Sequence, residues 1–597
     1  MTNHLTKTDF EYPLDTEYLM RKRKSLKRSL ESDDVERVNK NIAILGGSST
    51  QHLTDILEVF LLSKGISGTF YQSDFGCYVE DSLFGEEKLA AFQPDIIIIH
   101  SSVMNLNHID LTDGSRSNFE LLLENEVSKY NSIWKSLERH NCPIIQNNFD
   151  LPQIRPLGNL CCSDYRGLTY FINKLNDHIS KNVSENSSLF VHDINYLSAY
   201  VGLEKWFDQT LWYTSKYAIS MNAMPHFAAN ISNIICSLLG VTKKCLVLDL
   251  DNTCWGGVIG DDGIEGIRLG PEDALSEAFL GFQKYVKNLN NLGVSLAVCS
   301  KNEEKVAKSG FTHPSSVLHY NDFASFKANW GPKNINLVDI ASEINIGLDS
   351  MVFIDDNPAE REIAASVKEL SVPDIGDDIT NYIKHLDRNG FFERSFLSED
   401  DSNRKDYYAG NKKRSSHAQS FVDYDVYLKD LAMTASIKKF DSSSLERVSQ
   451  LAGKTNQFNL TTKRLNINEI SLIASDDSYL TLYGTLTDKF GANGIISAII
   501  GKTSGADIHI ELWIMSCRVF KRGMEFAMFD RFVEKCKQNG VESIYGYYFK
   551  TAKNIIIKNL LADLGFTLHK RDDEDTVWHL QVKNYQPKNK FIESKYE

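Results

Sequence analysis

Lys244-Cys-Leu-Val-Leu-Asp249-Leu-Asp251-Asn-Thr253-Cys-Trp255-Gly256-Gly257-Val-Ile-Gly is the stretch whose reading decides the fold. Cys245 to Leu248 are consecutive apolar residues, a length that suits a strand buried on both faces, as in a parallel sheet. The run ends in two carboxylates spaced i, i+2, then Asn, Thr, Trp and two glycines. Open α/β sheets place their chemistry at the carboxyl ends of strands. Spacing of two keeps both side chains on one face if the strand continues, so a bend is needed for each acid to approach one substrate from its own direction. The glycines permit that bend. The competing reading, a strand end with two solvated acids, loses ground because partners follow downstream in an order that chemistry requires.

Ala297-Val-Cys-Ser300 is a second apolar run, ending in a hydroxyl. Lys327 and Lys333 stand in Phe-Lys-Ala-Asn-Trp-Gly-Pro-Lys, and Met351-Val-Phe-Ile354 runs into Asp355-Asp356-Asn357. A DxDxT block, a hydroxyl, a lysine and an acidic pair, in that order, resemble the haloacid dehalogenase (HAD) superfamily. The wider string DLDNTCWGGVIGDDGIEGIRLG, with WGPKNINL and VFIDDNPAERE, resembles a narrower group, the FkbH-like glyceryltransferase/phosphatases.

At 597 residues the chain is too long for one hydrophobic core. Three domains are expected, in a multidomain α/β chain: an SGNH-like α/β domain at 1–240, a HAD Rossmann-like parallel-sheet domain with a minimal cap at 241–395, and a GNAT-like α+β domain at 396–597. An apolar fraction of 42% with 24% charged residues is ordinary for a soluble globular protein. A net charge of −14 argues against nucleic acid as a partner. It admits an acidic substrate where basic groups and a metal are concentrated. The 10 cysteines form no C-x-x-C pair, and Cys161 and Cys162 are adjacent, so neither a disulfide framework nor a zinc site is read and a reducing cytoplasm fits. The first strongly apolar run begins at Ile42 and no run approaches membrane-spanning length, so neither a secretory leader nor a membrane span is expected.

In the first domain, Arg21-Lys-Arg-Lys24 with Lys27 and Arg28 lies among Tyr18, Leu19, Met20, Leu26 and Leu30, the spacing of an amphipathic helix with its cationic face in water. Residues 42–45 read as a strand, Gly46-Gly47-Ser48-Ser49-Thr50 as a tight turn, and residues 53–62 as a helix. Strands are expected at 95–100 and 143–146. Ser48 stands where SGNH hydrolases place their nucleophile, but the rest of that set is poor. His-Ser-Ser-Val-Met-Asn105 lacks the Gly-x-Asn-Asp pattern, and Asp208 is followed three residues later by Leu211. His226 is a candidate substitute for the missing histidine, and a fold retained without hydrolysis is the expectation. QNNFDLP at 146–152 and WFD…LWY at 206–213 also resemble FkbH-like proteins.

Phosphoryl transfer requires a nucleophile, a proton donor for the leaving oxygen, and cations for the phosphoryl oxygens. By the HAD resemblance Asp249 is the nucleophile and Asp251 the general acid. Ser300 donates to a phosphoryl oxygen, and Lys333, with Lys327 as the alternative, neutralises the phosphoryl group. The resemblance implies Mg2+, which suits hard carboxylate ligands, held by Asp249, the main-chain carbonyl of Asp251, and one or both of Asp355 and Asp356. Thr253 and Asn302 are read as substrate contacts. Asp355-Asp356-Asn357-Pro358 also has the composition of a helix start. Little room for a cap exists between Thr253 and Ser300: a loop at 256–273 and a helix at 275–289.

Residues 397–416 read as a polar linker or exposed helix pair. Beyond them, strands at 433–438, 480–486 and 508–515, a helix at 444–451 and a helix opening at Arg522-Gly523-Met524-Glu525 follow the order of a GNAT acyltransferase. A free helix N-terminus binds anions, so Arg518, Arg522 and Gly523 are read as substrate-binding. Glu525 disfavours a diphosphate there and points to a pantetheine arm on a carrier rather than free coenzyme A. Cys517 reads either as a small buried hydrophobe or as a thioester nucleophile beside Arg518 and the helix N-terminus, both of which lower a thiol pKa. NQFNLTTKR, LTDKFGANG, WIMSCRVFKRGME and KTAKN resemble FkbH-like proteins as well, although the aromatic-rich segment expected after KTAKN is missing.

The resemblance implies an enzyme that loads a glyceryl unit from 1,3-bisphosphoglycerate onto an acyl carrier protein through its phosphopantetheine arm and removes the phosphate. Such a reaction serves polyketide or surface-polysaccharide biosynthesis. Two rivals stand beside it: a magnesium-dependent HAD phosphatase for another small phosphoester, and a non-catalytic carrier-docking scaffold.

Overall fold

In the computed structural model the chain divides into two units, Met1–Leu238 and Leu239–Glu597. The structure describes residues 7–33, 35–106, 111, 114–396, 410, 413–414, 417–418, 420–455, 457–551 and 553–596. The segments read as separate second and third domains both fall in the second unit. No helix among the described residues is long and apolar enough to cross a membrane.

The first unit is built on five parallel strands, β1 (Val38–Gly46), β2 (Ile66–Gln72), β3 (Ile96–His100), β4 (Ile144–Asn147) and β5 (Leu189–His192), in the order β2-β1-β3-β4-β5. That is the doubly wound order with one reversal, between β1 and β3. β3 is buried along its whole length, as a strand covered by helices on both faces must be. The basic helix Thr16–Ser32 buries Leu19, Met20, Leu26 and Leu30. Two of its cations are met by the next helix, Gln51–Ser63: Lys27 pairs with Glu58 at 2.7 Å and Arg23 with Asp55 at 3.4 Å. Arg21, Lys22 and Lys24 stay in solvent.

The second unit holds two sheets. The first contains β6 (Cys245–Leu248), β7 (Ser295–Ser300), β8 (Phe323–Ala328) and β9 (Met351–Ile354), all parallel, in the order β8-β7-β6-β9. Period-two geometry sends alternate side chains to opposite faces. Leu246, Leu248, Val298 and Ile354 enter one core with the helices Ala274–Asn291 and Ile379–Arg388. Cys245, Val247, Cys299 and Phe353 enter another with the helix Lys333–Ile344. The stretch 256–273, expected as loop, contains a short helix, Ile259–Gly266, broken at Gly263.

The other sheet has eight strands: β10 (Met433–Lys438), β11 (Tyr479–Asp488), β12 (Gly491–Ser504), β13 (Asp507–Met515), β14 (Ser543–Tyr548), β15 (Thr567–Asp572), β16 (Asp575–Gln581) and β17 (Ile592–Tyr596). Their order is β15-β16-β14-β13-β12-β11-β10-β17. β13 and β14 run parallel but pair only from Asp507↔Ser543 to His509↔Tyr545, then part. Residues 458–461 fill the fork. Met515 N–H donates to the Phe458 carbonyl (3.1 Å), Leu460 N–H to Trp513 (3.4 Å), and Phe549 N–H to Leu460 (2.9 Å).

Most of the polar stretch 397–416 lies outside the described residues. Arg414 within it departs from the expected exposed linker: it is buried and grips Asp488 with two nitrogens, at 2.7 and 2.8 Å. A fork-shaped cation meeting a buried carboxylate satisfies both charges at once.

Candidate active site

β6 is central, so its neighbours β7 and β9 carry their carboxyl ends to the same place. Asp249 follows β6, and its N–H extends the pairing to the carbonyl of Ile354 at 3.0 Å. Lys333 is the first residue of its helix, only 2% exposed, and reaches back under the strand ends. Its Nζ donates to Asp249 Oδ1 at 2.7 Å and to Asp355 Oδ2 at 2.5 Å. The Ser300 hydroxyl, at the end of β7, hydrogen-bonds Asp249. One buried cation between two buried carboxylates is a reciprocal arrangement, because either charge left alone costs several kcal/mol, about 3–5.

The acidic pair is fixed from behind. Asn357 N–H donates to Asp355 Oδ1 (2.9 Å), while Asn357 Oδ1 caps the helix Pro358–Ala365 through Ala359 N–H (3.0 Å). The helix start and the acid cluster therefore coexist. Arg361 Nη1 donates to the carbonyls of Asp355 (2.8 Å) and Asp356 (2.7 Å). Asp251 is held separately: Oδ1 accepts from Trp255 Nε1 (2.9 Å) and Ile259 N–H (3.0 Å), and Oδ2 accepts from Asn302 Nδ2 (2.9 Å).

Burial raises the Asp249 carboxyl, Lys333 opposes it and Asp355 adds to it. Burial likewise raises Asp251, and burial with the neighbouring Asp355 raises Asp356. Burial works to lower Lys333, but Asp249 and Asp355 outweigh it and keep the ammonium protonated.

Several expected roles change place. Lys327 sits on β8 and pairs with Glu343 at 3.3 Å, so Lys333 alone of the two meets Asp249. Thr253, expected to touch substrate, is fully buried; its hydroxyl donates to Asp356 Oδ1 (3.3 Å) and accepts from Asp356 N–H (3.2 Å). Asn302 is turned onto Asp251 rather than standing free. These residues are occupied because the acids need donors on every side. Sequence reasoning missed Arg361 and Trp255; a lone arginine on a helix and a tryptophan after a loop carry no spacing signal.

Carboxylate oxygens of Asp249, Asp355 and Asp356 lie within 4.8 Å of one another. Three acids against one lysine leave a formal excess of negative charge, and hard oxygen donors at this spacing fit Mg2+. The Asp251 carboxylate, taken up by three donors, is not part of this group.

Cys517 opens the short turn Cys517–Val519 just past β13 and is half-buried. Arg518 Nε donates to Ser516 Oγ at 3.1 Å. Arg522, expected to face an anion, points inward: Nη1 reaches Asp488 at 3.3 Å and Nη2 the Arg518 carbonyl at 2.8 Å. Gly523 takes φ +83°, the left-handed conformation that lets the chain start the helix Met524–Gln538 directly after the turn. Glu525 lies in that helix's first turn, its carboxyl raised by burial.

In the first unit the strand ends carry a His-Asn-His chain and one buried carboxyl. Asn147 bridges two buried histidines, its Nδ2 2.8 Å from His100 Nδ1 and its Oδ1 2.9 Å from His192 Nδ1. Burial lowers His100 to about 4 and His192 to about 3. Asp150, raised to about 6 by burial, accepts from Val103 N–H (2.7 Å) and Trp206 Nε1 (2.8 Å). The Ser48 hydroxyl is buried with no hydrogen-bond partner among the described residues, and the loop at Ser215 and Lys216 binds the adjacent Ser49.

A family model described as FkbH, N-terminal domain, matches residues 41–236. The N-terminal part of the protein BF1531 from Bacteroides fragilis, containing a phosphatase domain complexed with Mg, is 30% identical, with a TM-score of 0.59, over 63% of this chain and 99% of its own. The chain belongs to the FkbH-like glyceryltransferase/phosphatase family. Two GNAT-type structures also match parts of this FkbH-like chain. The ribosomal-protein-S18-alanine N-acetyltransferase from Escherichia coli is 11% identical over 25% of this chain and 94% of its own, TM-score 0.21. The PaiA N-acetyltransferase from Thermoplasma acidophilum, in complex with coenzyme A, is 15% identical over 25% and 99%, TM-score 0.20. A search of curated proteins gave no match.

Proposed function

We propose that this protein transfers the phosphoglyceryl group of 1,3-bisphosphoglycerate to an acyl carrier protein as a thioester and hydrolyses its phosphate monoester. The observation that carries the phosphatase half is the buried Lys333 held between Asp249 and Asp355 at adjacent strand ends. Asp249 attacks phosphorus, the P–O bond to the glyceryl oxygen breaks, and an aspartyl phosphate forms. Asp251, whose carboxyl burial raises, delivers its proton to the leaving oxygen and later takes one from the attacking water. Ser300 and Lys333 bind phosphoryl oxygens as charge builds on them. Asp249, Asp355 or Asp356 and the Asp251 carbonyl would hold Mg2+, which would supply further neutralisation of the phosphoryl group.

For the transferase half, Cys517 takes the acyl group from the acyl phosphate, releasing inorganic phosphate, and passes it to the phosphopantetheine thiol. An acyl phosphate is already activated, so no nucleotide is consumed. The chemistry belongs to the reducing cytoplasm, where a free thiol survives. Incubation with 1,3-bisphosphoglycerate, Mg2+ and a holo carrier protein, read by intact-protein mass, tests it. A glyceryl adduct on the carrier is expected from the wild type and a phosphoglyceryl adduct from Asp249→Asn. A carrier left unmodified by either overturns the reading, and phosphate release from small esters alone reduces the protein to a phosphatase.

A further inference from the structure

The helix Lys333–Ile344 touches both centres. Its first residue supplies the ammonium at Asp249, and the residue that ends it, Asn345, donates from Nδ2 to the main-chain carbonyl of Cys517 at 2.5 Å. Asn345 adopts φ +55°, the left-handed conformation that Asn tolerates better than other side-chain-bearing residues. That cap turns its amide off the helix end toward the Cys517 turn. The carbonyl it meets also receives Phe520 N–H within the turn (3.3 Å), so the Cys517 peptide is held from two sides. A second tie lies alongside. Lys553 pairs with Asp349, whose own carbonyl receives Lys243 Nζ at 2.6 Å. Twelve helical residues at about 1.5 Å each set the two helix ends about 18 Å apart.

We propose that Asn345 is a positioning residue for the Cys517 thiol, and that the Lys333–Ile344 helix is the rigid spacer fixing that thiol relative to the carboxylate cluster. The proposal rests on the acyl-transfer reading above for its consequence, though not for its geometry. Main-chain position decides where the sulfur stands, and displacement of a reacting atom by about 1 Å costs up to about a hundredfold in rate. With the helix ends about 18 Å apart, an intermediate passing from the Cys517 turn to the acid cluster would travel on a tether.

Asn345→Gly keeps the left-handed conformation and removes the amide, and Asn345→Asp keeps the shape and removes the donor. Both are examined in the full chain with Mg2+. Peptide-level mass spectrometry reads the rate of Cys517 alkylation by iodoacetamide, with the exposed Cys162 as internal reference. Acyl loading of the carrier gives kcat and KM. Expected are Cys517 alkylation changed threefold or more relative to Cys162, loading kcat lowered about tenfold with KM within twofold, and unchanged hydrolysis of a small phosphate ester. Wild-type alkylation and wild-type loading kcat in both variants would overturn the proposal. If the wild type loads no acyl group, the functional reading fails, while the alkylation comparison still decides whether Asn345 holds the turn.

Discussion

Two parallel sheets in this chain bring polar residues to their carboxyl strand ends, and they do so with opposite electrostatics. In the second unit three acids and a lysine meet at the tips of β6 and β9, with a serine from β7, and the lysine's ammonium lies against two of the buried carboxylates. In the first unit His100, Asn147 and His192 form a chain of neutral donors and acceptors, and Asp150 is satisfied by two N–H groups. Open α/β topology brings both sets to the place where ligands bind. Only one has the reciprocal charges that phosphoryl chemistry needs. Place in the fold nominates a site, and charge arrangement makes it one.

The sharpest way to break this contrast is Asp249→Asn against Ser48→Ala. The first should lower turnover of a small phosphate ester by at least about a thousandfold, with the carboxamide still accepting from Lys333. Comparable loss in Ser48→Ala would show that the first unit shares the chemistry. Next in size is Lys333→Met, which leaves Asp249 and Asp355 buried without their cation. Denaturant unfolding should show a loss of about 3–5 kcal/mol, smaller when Mg2+ is present to replace the missing charge. Equal stability with and without the lysine would remove the basis for calling the cluster reciprocal.

Acid should distinguish the units too. The folded-state pKa of His100 is about 4 against an ordinary 6.5, and that of His192 is lower still. Each contributes stability that is present above pH 6.5 and lost as pH falls, at about 1.4 kcal/mol per pH unit. Asp150 works the other way: raised to about 6 from 3.8, its contribution is complete below pH 3.8 and lost as pH rises through 6. Two histidines outweigh one carboxyl, so the first unit weakens between pH 6.5 and 4. His100→Asn should flatten that fall, as read by hydrogen exchange in β3 and β4. The smallest effect is the stability change of Ser48→Ala, within about 0.5 kcal/mol or slightly stabilising, since a buried hydroxyl without a partner among the described residues is removed. A loss above 1.5 kcal/mol in thermal unfolding would mean the hydroxyl has a partner.

Much of the candidate acid-and-lysine centre is legible because its signals are local. Four apolar residues before Asp249, and again before Asp355, announce strands buried on both faces, and a buried strand end bearing acids demands a counter-charge. The choice between Lys327 and Lys333 was not decidable by spacing; it depends on Lys327 lying on a strand beside Glu343 while Lys333 starts a helix beneath Asp249. Sequence gives Thr253 and Asn302 outward roles, because it shows a polar residue near a site but not which way it turns. The grip of Arg414 on Asp488 and of Asn345 on Cys517 joins residues far apart in the chain, and no periodicity records such pairs. Strands β2 and β5 went unread for a different reason: Ile66–Gln72 alternates weakly, and Leu189–His192 is only four residues long.

The wedge of residues 458–461 has a consequence for access to the Cys517 turn. Where β13 and β14 diverge, their main-chain groups would make a berth for any extended guest, whether an amide-bearing arm or the edge of a neighbouring molecule. The chain has corked that berth with its own backbone. Under the proposed transfer, a carrier arm reaching the Cys517 turn would therefore gain no main-chain pairing from β13 and β14 at this fork.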